Sequence, residues 1–258
     1  IGCSCQGMYE NQEGFCGEGA CTELMLSFFI PILMEQPGMT YGELAEKLYW
    51  NIRNFGYQSA HVRELGSLDM ILLDLLAERR GMPLHRFLGA EKDWAKVYKG
   101  GGSVLLTDEE LVEDMIRFKS EGYDHTKFKI GLSDDWSGDL RRLEKVRAAL
   151  GDDFGIAVDA NQRFDADTAF EFAKEAAAYN IAWFEEPIHA YDMEGLKELT
   201  DRLSDAGLDV PIAMGESVRS YHTFVQYAEH GVKHLQPANA ALYSISEILR
   251  VRDLADSR

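Results

Sequence analysis

The chain has 258 residues, 46% of them hydrophobic and 27% charged, enough for one large domain or two smaller ones without disulfide support. With 44 acids against 26 bases its net charge is −18, which excludes a nucleic-acid surface built from clustered Lys and Arg. The longest apolar run, Leu24 to Met34, is shorter than the ~20 residues of a membrane span and is broken by Pro31, so no membrane partner is expected.

Residues 1–21 alternate small, polar and apolar side chains around Gly2, Gly7, Gly14, Gly17 and Gly19, and read as two or three short strands. Cys3, Cys5, Cys16 and Cys21 all fall there. Their spacing lacks the paired C-x₂-C of a zinc site, so they read as small apolar fillers in a reducing, cytoplasmic compartment. Helical patterns follow over 22–35, 40–54, 60–80 and 84–88, the third carrying Leu68, Ile71, Leu72, Leu75 and Leu76 on one face. From Trp94 the rhythm becomes strand–helix. Strands are expected over 96–104, 125–131, 154–160, 181–186, 210–215 and 233–238. Helices are expected after each, from the Thr107–Glu110 capping box to a last helix over 244–255. Six successive βα units argue for an α/β fold with a parallel sheet and right-handed crossovers. A closed TIM-type barrel needs about eight strands, so the rhythm is roughly two units short of one. Residues 1–95 are expected to form an α+β domain, short of its first strand, and 96–258 the barrel domain.

Three β-type runs end in an acid: Val158-Asp159-Ala160-Asn161, Trp183-Phe184-Glu185-Glu186-Pro187 and Met214-Gly215-Glu216-Ser217. Asp159, Glu185 and Glu216 thus mark equivalent points of successive βα units, at the strand ends where barrel active sites are built. Carboxylates gathered there repel one another unless a cation holds them, and all-oxygen ligation suits Mg²⁺ or Mn²⁺. Upstream, Lys127-Phe128-Lys129 ends another apolar run, and strand alternation turns both lysines to one face. Lys129, Asp159, Glu185 and Glu216 follow one another at intervals of 30, 26 and 31 residues, a phase that random surface charge does not keep.

These residues resemble the barrel signature of the enolase superfamily, in its mandelate racemase/muconate lactonizing subgroup. Lys127-x-Lys129, Asp159-x-Asn161, Glu185-Glu186-Pro187 and Gly215-Glu216 carry the resemblance. Gly14-Phe-Cys-Gly-Glu-Gly-Ala20 is similar to the family's early strand pair, and Gly66 to Gly89 to the helix joining cap to barrel. The resemblance implies a (β/α)7β barrel under an N-terminal α+β capping domain. It implies Mg²⁺ (or Mn²⁺) on Asp159, Glu185 and Glu216, Lys129 as the base, and Lys127 against the substrate carboxylate. Asn161 would touch substrate or support the ligands, and Glu186 would orient them. It further implies a small carboxylate substrate and a homo-oligomer. In this subgroup the sixth strand commonly ends Gln-Pro-Asp; here it reads Leu235-Gln-Pro-Ala-Asn239, so no carboxylate is available at Ala238 or Asn239. Asn239, His189 and Arg219 are the remaining candidates for substrate contacts. The shared reaction is abstraction of the proton α to a carboxylate. Dehydration of a sugar acid is the first expectation. Racemisation, epimerisation or cycloisomerisation is the second. An acid-sugar binder without catalysis is the third, and the intact Lys-x-Lys pair argues against it.

Overall fold

Residues 23–35, 38–56, 59–133, 135–238 and 244–258 are described by a computed structural model. The cysteines, the short strands expected over 1–21 and Asn239 lie outside the described residues. The chain divides into two compact units, one of residues 1–94, 216–223 and 237–258, the other of 95–215 and 224–236. The boundary expected at 95/96 falls beside the Trp94/Ala95 division, but 216–223 and 237–258 group with the N-terminal residues rather than with the strands.

The described residues of the first unit are mainly helical. Its opening stretch is a π turn over Met25–Phe29 running into Ile30–Met34 (α1), not a single regular helix. Pro31 has no N–H to give, and the Ile30 N–H bonds Met25 O, one residue further back than the α pattern. Tyr41–Ile52 (α2) starts at a capping box between Thr40 and Glu43. Ala60–Arg79 (α3) and Leu84–Phe87 (α4) follow. Phe29, Leu48, Ile52, Val62, Leu65 and Leu68 form the core. The buried face of α3 passes through Leu68 and Leu73, whereas Leu75, expected inside, is 48% exposed. The buried Asp69 on α3 accepts from the Tyr41 hydroxyl and from Ile245 N at 2.8 Å, the first residue of Ile245–Asp256 (α10). One carboxylate thereby ties α2, α3 and α10 together.

The second unit carries six parallel strands that pair in chain order. They are Lys99–Gly101 (β1), His125–Lys129 (β2), Gly155–Asp159 (β3), Trp183–Glu185 (β4), Ile212–Met214 (β5) and His234–Leu235 (β6). Between them run Asp108–Ser120 (α5), Ser137–Leu150 (α6), Ala166–Ala176 (α7) and Met193–Asp205 (α8), and Tyr221–Glu229 (α9) precedes β6. Thr107 and Glu110 form the expected capping box on α5, and Asp165 and Asp192 cap α7 and α8. Phe128, Val158 and Phe184 alternate onto the helix-covered face, where the rings of Phe184 and Phe172 of α7 lie 5.1 Å apart. Lys127, Lys129, Ala157, Asp159, Trp183, Glu185 and Ala213 fall on the opposite face. At the start of the strands, Arg147 of α6 donates to the carbonyls of Gly151, Phe154, Tyr179 and Asn180, fastening the turns that enter β3 and β4. This is the architecture of part of a TIM-type barrel. No described helix is long and apolar enough to cross a membrane.

Candidate active site

β2, β3 and β4 stop together, because Lys129 pairs in register with Asp159 and Asp159 with Glu185. Both carboxylates are buried. Lys127 Nζ donates to Asp159 Oδ2 at 2.9 Å and to Glu185 Oε1, while Lys129 Nζ donates to Asp159 Oδ2 at 2.5 Å. The two amines converge on one carboxylate oxygen, as the strand alternation requires. Glu185 Oε2 also accepts from Trp183 Nε1 at 3.0 Å and from Gln236 Nε2 at 2.8 Å. Neither partner is predicted from the sequence: Gln236 stands just past β6, and its reach becomes visible only when the strands are laid side by side.

Burial would raise Asp159, but the charges of Lys127 and Lys129 outweigh it and hold the carboxyl below its ordinary value. Glu185 goes the other way, because burial and the neighbouring Asp159 charge exceed what Lys127 gives back. Burial disfavours the Lys127 ammonium, yet the two carboxylates hold it well above the ordinary lysine range. The two carboxylates thus favour the charged form of Lys127. Access separates the two amines, since the Lys127 side chain is 11% exposed and that of Lys129 is 35%.

The turns after β3 and β4 are strained. Asn161, Gln162 and Glu186 all take positive φ, 43°, 66° and 39°, without being glycine. Asn161 points its backbone N–H at Asp159 Oδ1, 2.9 Å away. Gln162 N donates to Glu186 O at 2.7 Å, and Gln162 Nε2 to Glu186 Oε2 at 3.1 Å. Glu186, buried, thus holds Gln162. Gln162 Oε1 in turn accepts Ala190 N at 2.9 Å, while Tyr227 donates its hydroxyl to Ala190 O at 2.6 Å. Both sides of that residue are clamped, and exposed His189 stands next to it. His189 Nδ1 accepts Tyr191 N at 3.2 Å, so the ring proton sits on Nε2.

The structure therefore brings together Lys127, Lys129, Asp159, Glu185 and Asn161, with Glu186 and His189 on the next turn. Glu216 is exposed, just beyond β5, and with half-buried Arg219 it belongs to the other compact unit. Among the described residues no three His, Cys, Asp or Glu side chains are grouped as a metal-ligand set. The pair Asp159 and Glu185 still fits a hard divalent cation. Its donors are oxygen only, and buried Gln236 Oε1 beside it has no partner among the described residues.

Comparison with known proteins identifies the family. The enolase C-terminal domain-like family model matches residues 110–258. L-talarate/galactarate dehydratase of Salmonella typhimurium is 35% identical over 211 residues, covering 81% of this chain and 52% of that protein. D-gluconate dehydratase of Thermoproteus tenax is 33% identical over 203 residues, 75% and 40% of the two chains. Among solved structures, the Salmonella enzyme liganded with Mg and L-lyxarohydroxamate has a TM-score of 0.76 at 33% identity, covering 84% of this chain and 54% of that one. The 3,6-anhydro-D-galactonate cycloisomerase of Zobellia galactanivorans has a TM-score of 0.82 at 26% identity, covering 93% and 66%. The chain spans about half the length of the first of these relatives. It belongs to the enolase superfamily and, with dehydratases, cycloisomerases and epimerases as its relatives, to the mandelate racemase/muconate lactonizing subgroup.

Proposed function

We propose that this chain carries the base and the metal carboxylates of an enzyme that abstracts the proton α to a carboxylate, and that its reaction is dehydration of a sugar acid. The observation that carries the reading is the pair of lysines on one carboxylate oxygen, one enclosed and one accessible. Asp159 and Glu185 would hold Mg²⁺, with Mn²⁺ able to replace it and Glu216 as the third ligand that the resemblance implies. When bound, the cation supplies positive charge beside the substrate carboxylate, which stabilises the negative charge left when a carbon acid ionises.

The other steps fall to the side chains. Lys127 stays charged and faces the substrate carboxylate. Lys129, whose amine is reachable, acts in its neutral form and takes the α-proton at Nζ, becoming the ammonium. The C–H electron pair moves toward the carboxylate, then returns to form a carbon–carbon double bond. The β-hydroxyl departs as water with the proton that Lys129 took, which returns the amine to its neutral form, and the enol becomes a 2-keto acid. His189 Nε2–H offers a fixed donor to a substrate hydroxyl or second carboxylate. Asn161 and Arg219 are further substrate contacts, and a homo-oligomer is the expected assembly.

The test is incubation of an acid-sugar library with the protein and Mg²⁺ in deuterated water. Water loss with a 2-keto acid as product is the expected result. Deuterium at the α-carbon without water loss would move the assignment to racemisation or epimerisation. A ring-opened or ring-closed isomer would move it to cycloisomerisation, the activity named for several relatives. Binding of acid sugars with neither exchange nor product would sink the enzymatic reading.

A further inference from the structure

Helix α6 buries Leu143, Val146 and Leu150, and besides Arg147 it buries two further charged residues, Asp139 and Arg142. Apolar side chains of similar volume would stabilise the helix as well or better, because burying a carboxylate and a guanidinium is costly. What the two residues hold is specific. Asp139 Oδ2 accepts the N–H of Gly131 at 2.9 Å. Arg142 donates to Ser103 O at 2.8 Å and to Val104 O at 2.9 Å. Gly131 lies two residues past Lys129, and Ser103 follows Gly102, whose carbonyl accepts Lys129 N at 2.9 Å. Ile130 N, between them, is taken by Asp159 O at 2.9 Å. The backbone on both sides of Lys129 is thus fastened from behind by two residues three apart on one helix. Gly102 has no room for a side chain, since a Cβ there would meet Phe128 Cβ at 2.5 Å.

We propose that Asp139 and Arg142 are positioning residues for Lys129: together they fix the loops after β1 and β2, and so the place of the amine over Asp159. The inference rests on Lys129 being the base. A base displaced by ~1 Å loses on the order of 10²-fold in rate.

The experiment compares Asp139→Ala, Asp139→Asn, Arg142→Met and Arg142→Lys in the full chain with Mg²⁺ and an accepted acid sugar. Asp139→Ala and Arg142→Met are expected to lower kcat for α-proton exchange by roughly 10²-fold, with KM and Mg²⁺ affinity within about twofold of wild type. Asp139→Asn keeps an oxygen for Gly131 N and should restore most of the rate. Arg142→Lys, which loses the two-pronged reach, should fall between. Exchange at the wild-type rate in folded Asp139→Ala overturns the proposal. So does a loss that Asn fails to restore and in which KM rises and Mg²⁺ affinity falls together. If Asp139→Ala and Arg142→Met do not fold, Asp139→Asn and Arg142→Lys decide by the same kcat-against-KM split. If wild type exchanges no acid sugar, the functional reading fails separately, and crystal structures judge the positioning. Lys129 Nζ displaced from Asp159 by about 1 Å or more in the variants upholds it, and an unmoved amine overturns it.

Discussion

Lys127 and Lys129 are the same residue type, two positions apart, yet their surroundings differ, and the duties proposed for them differ accordingly. Lys127 neutralises two buried carboxylates, so Lys127→Met leaves Asp159 and Glu185 with too little counter-charge. That variant should lose about 3–5 kcal/mol in urea unfolding as well as activity. Lys129→Met removes a more open contact and leaves Lys127 on Asp159, so its unfolding curve should stay near wild type. It should nevertheless lose roughly 10²–10⁴-fold in α-proton exchange, while Mg²⁺ still binds. A stable Lys127 variant or a fully exchanging Lys129 variant would reverse the assignment. Strand alternation and equal spacing made Lys127, Lys129, Asp159 and Glu185 readable from sequence. Trp183, Gln162 and Gln236 were not, because each acts through a hydrogen bond whose partner lies 2, 24 or 51 residues away, with no pattern to mark it.

At the scale of elements, the described helices and strands were legible from capping boxes, glycine stops and apolar runs, and most differences lie at their ends. The first strand contracts from 96–104 to Lys99–Gly101, where Gly100, Gly101 and Gly102 bring little β-propensity. β6 contracts to His234–Leu235 because Pro237 has no N–H for the ladder. The π turn before Pro31 has the same cause. Arg147 shows an element held from outside by something no periodicity announces: one buried guanidinium serves four carbonyls at the entrances to β3 and β4. Arg147→Met should lower stability by roughly 2–4 kcal/mol, seen as a lower urea midpoint at unchanged m-value. An unchanged midpoint would mean those turns hold without it.

For the molecule as a whole, the strand–helix rhythm assigns α10 to the second domain, as does the family match over 110–258, while its contacts group it with the first unit. The reason is Asp69, a polar residue on a leucine-rich helix, whose second oxygen receives Ile245 N. Each unit also holds a tyrosine away from water, Tyr41 half-buried in the first and Tyr227 buried in the second. Burial, the hydrogen bond to Asp69 and its charge push Tyr41 up from its ordinary 10.0. Burial, then the Glu186 and Tyr191 charges, do the same to Tyr227. Above pH 10 the unfolded chain releases these protons while the folded chain keeps them. Stability is therefore full below pH 10 and falls as pH rises, by up to about 1.4 kcal/mol per pH unit for Tyr227. Unfolding midpoints at pH 9, 10 and 11, with phenolate absorbance followed alongside, measure it, and Tyr227→Phe should flatten the decline. A decline equally steep in that variant would place its origin elsewhere.

Strand order that equals chain order also has a meaning for synthesis. As the chain leaves the ribosome, each new strand finds its hydrogen-bonding neighbour already made, one βα unit behind. Every pairing closes a loop of similar length, so each carries nearly the same entropic cost. The row from β1 to β6 can therefore lengthen one unit at a time, and Asp159 and Glu185 come to lie beside Lys129 in the order in which they are translated.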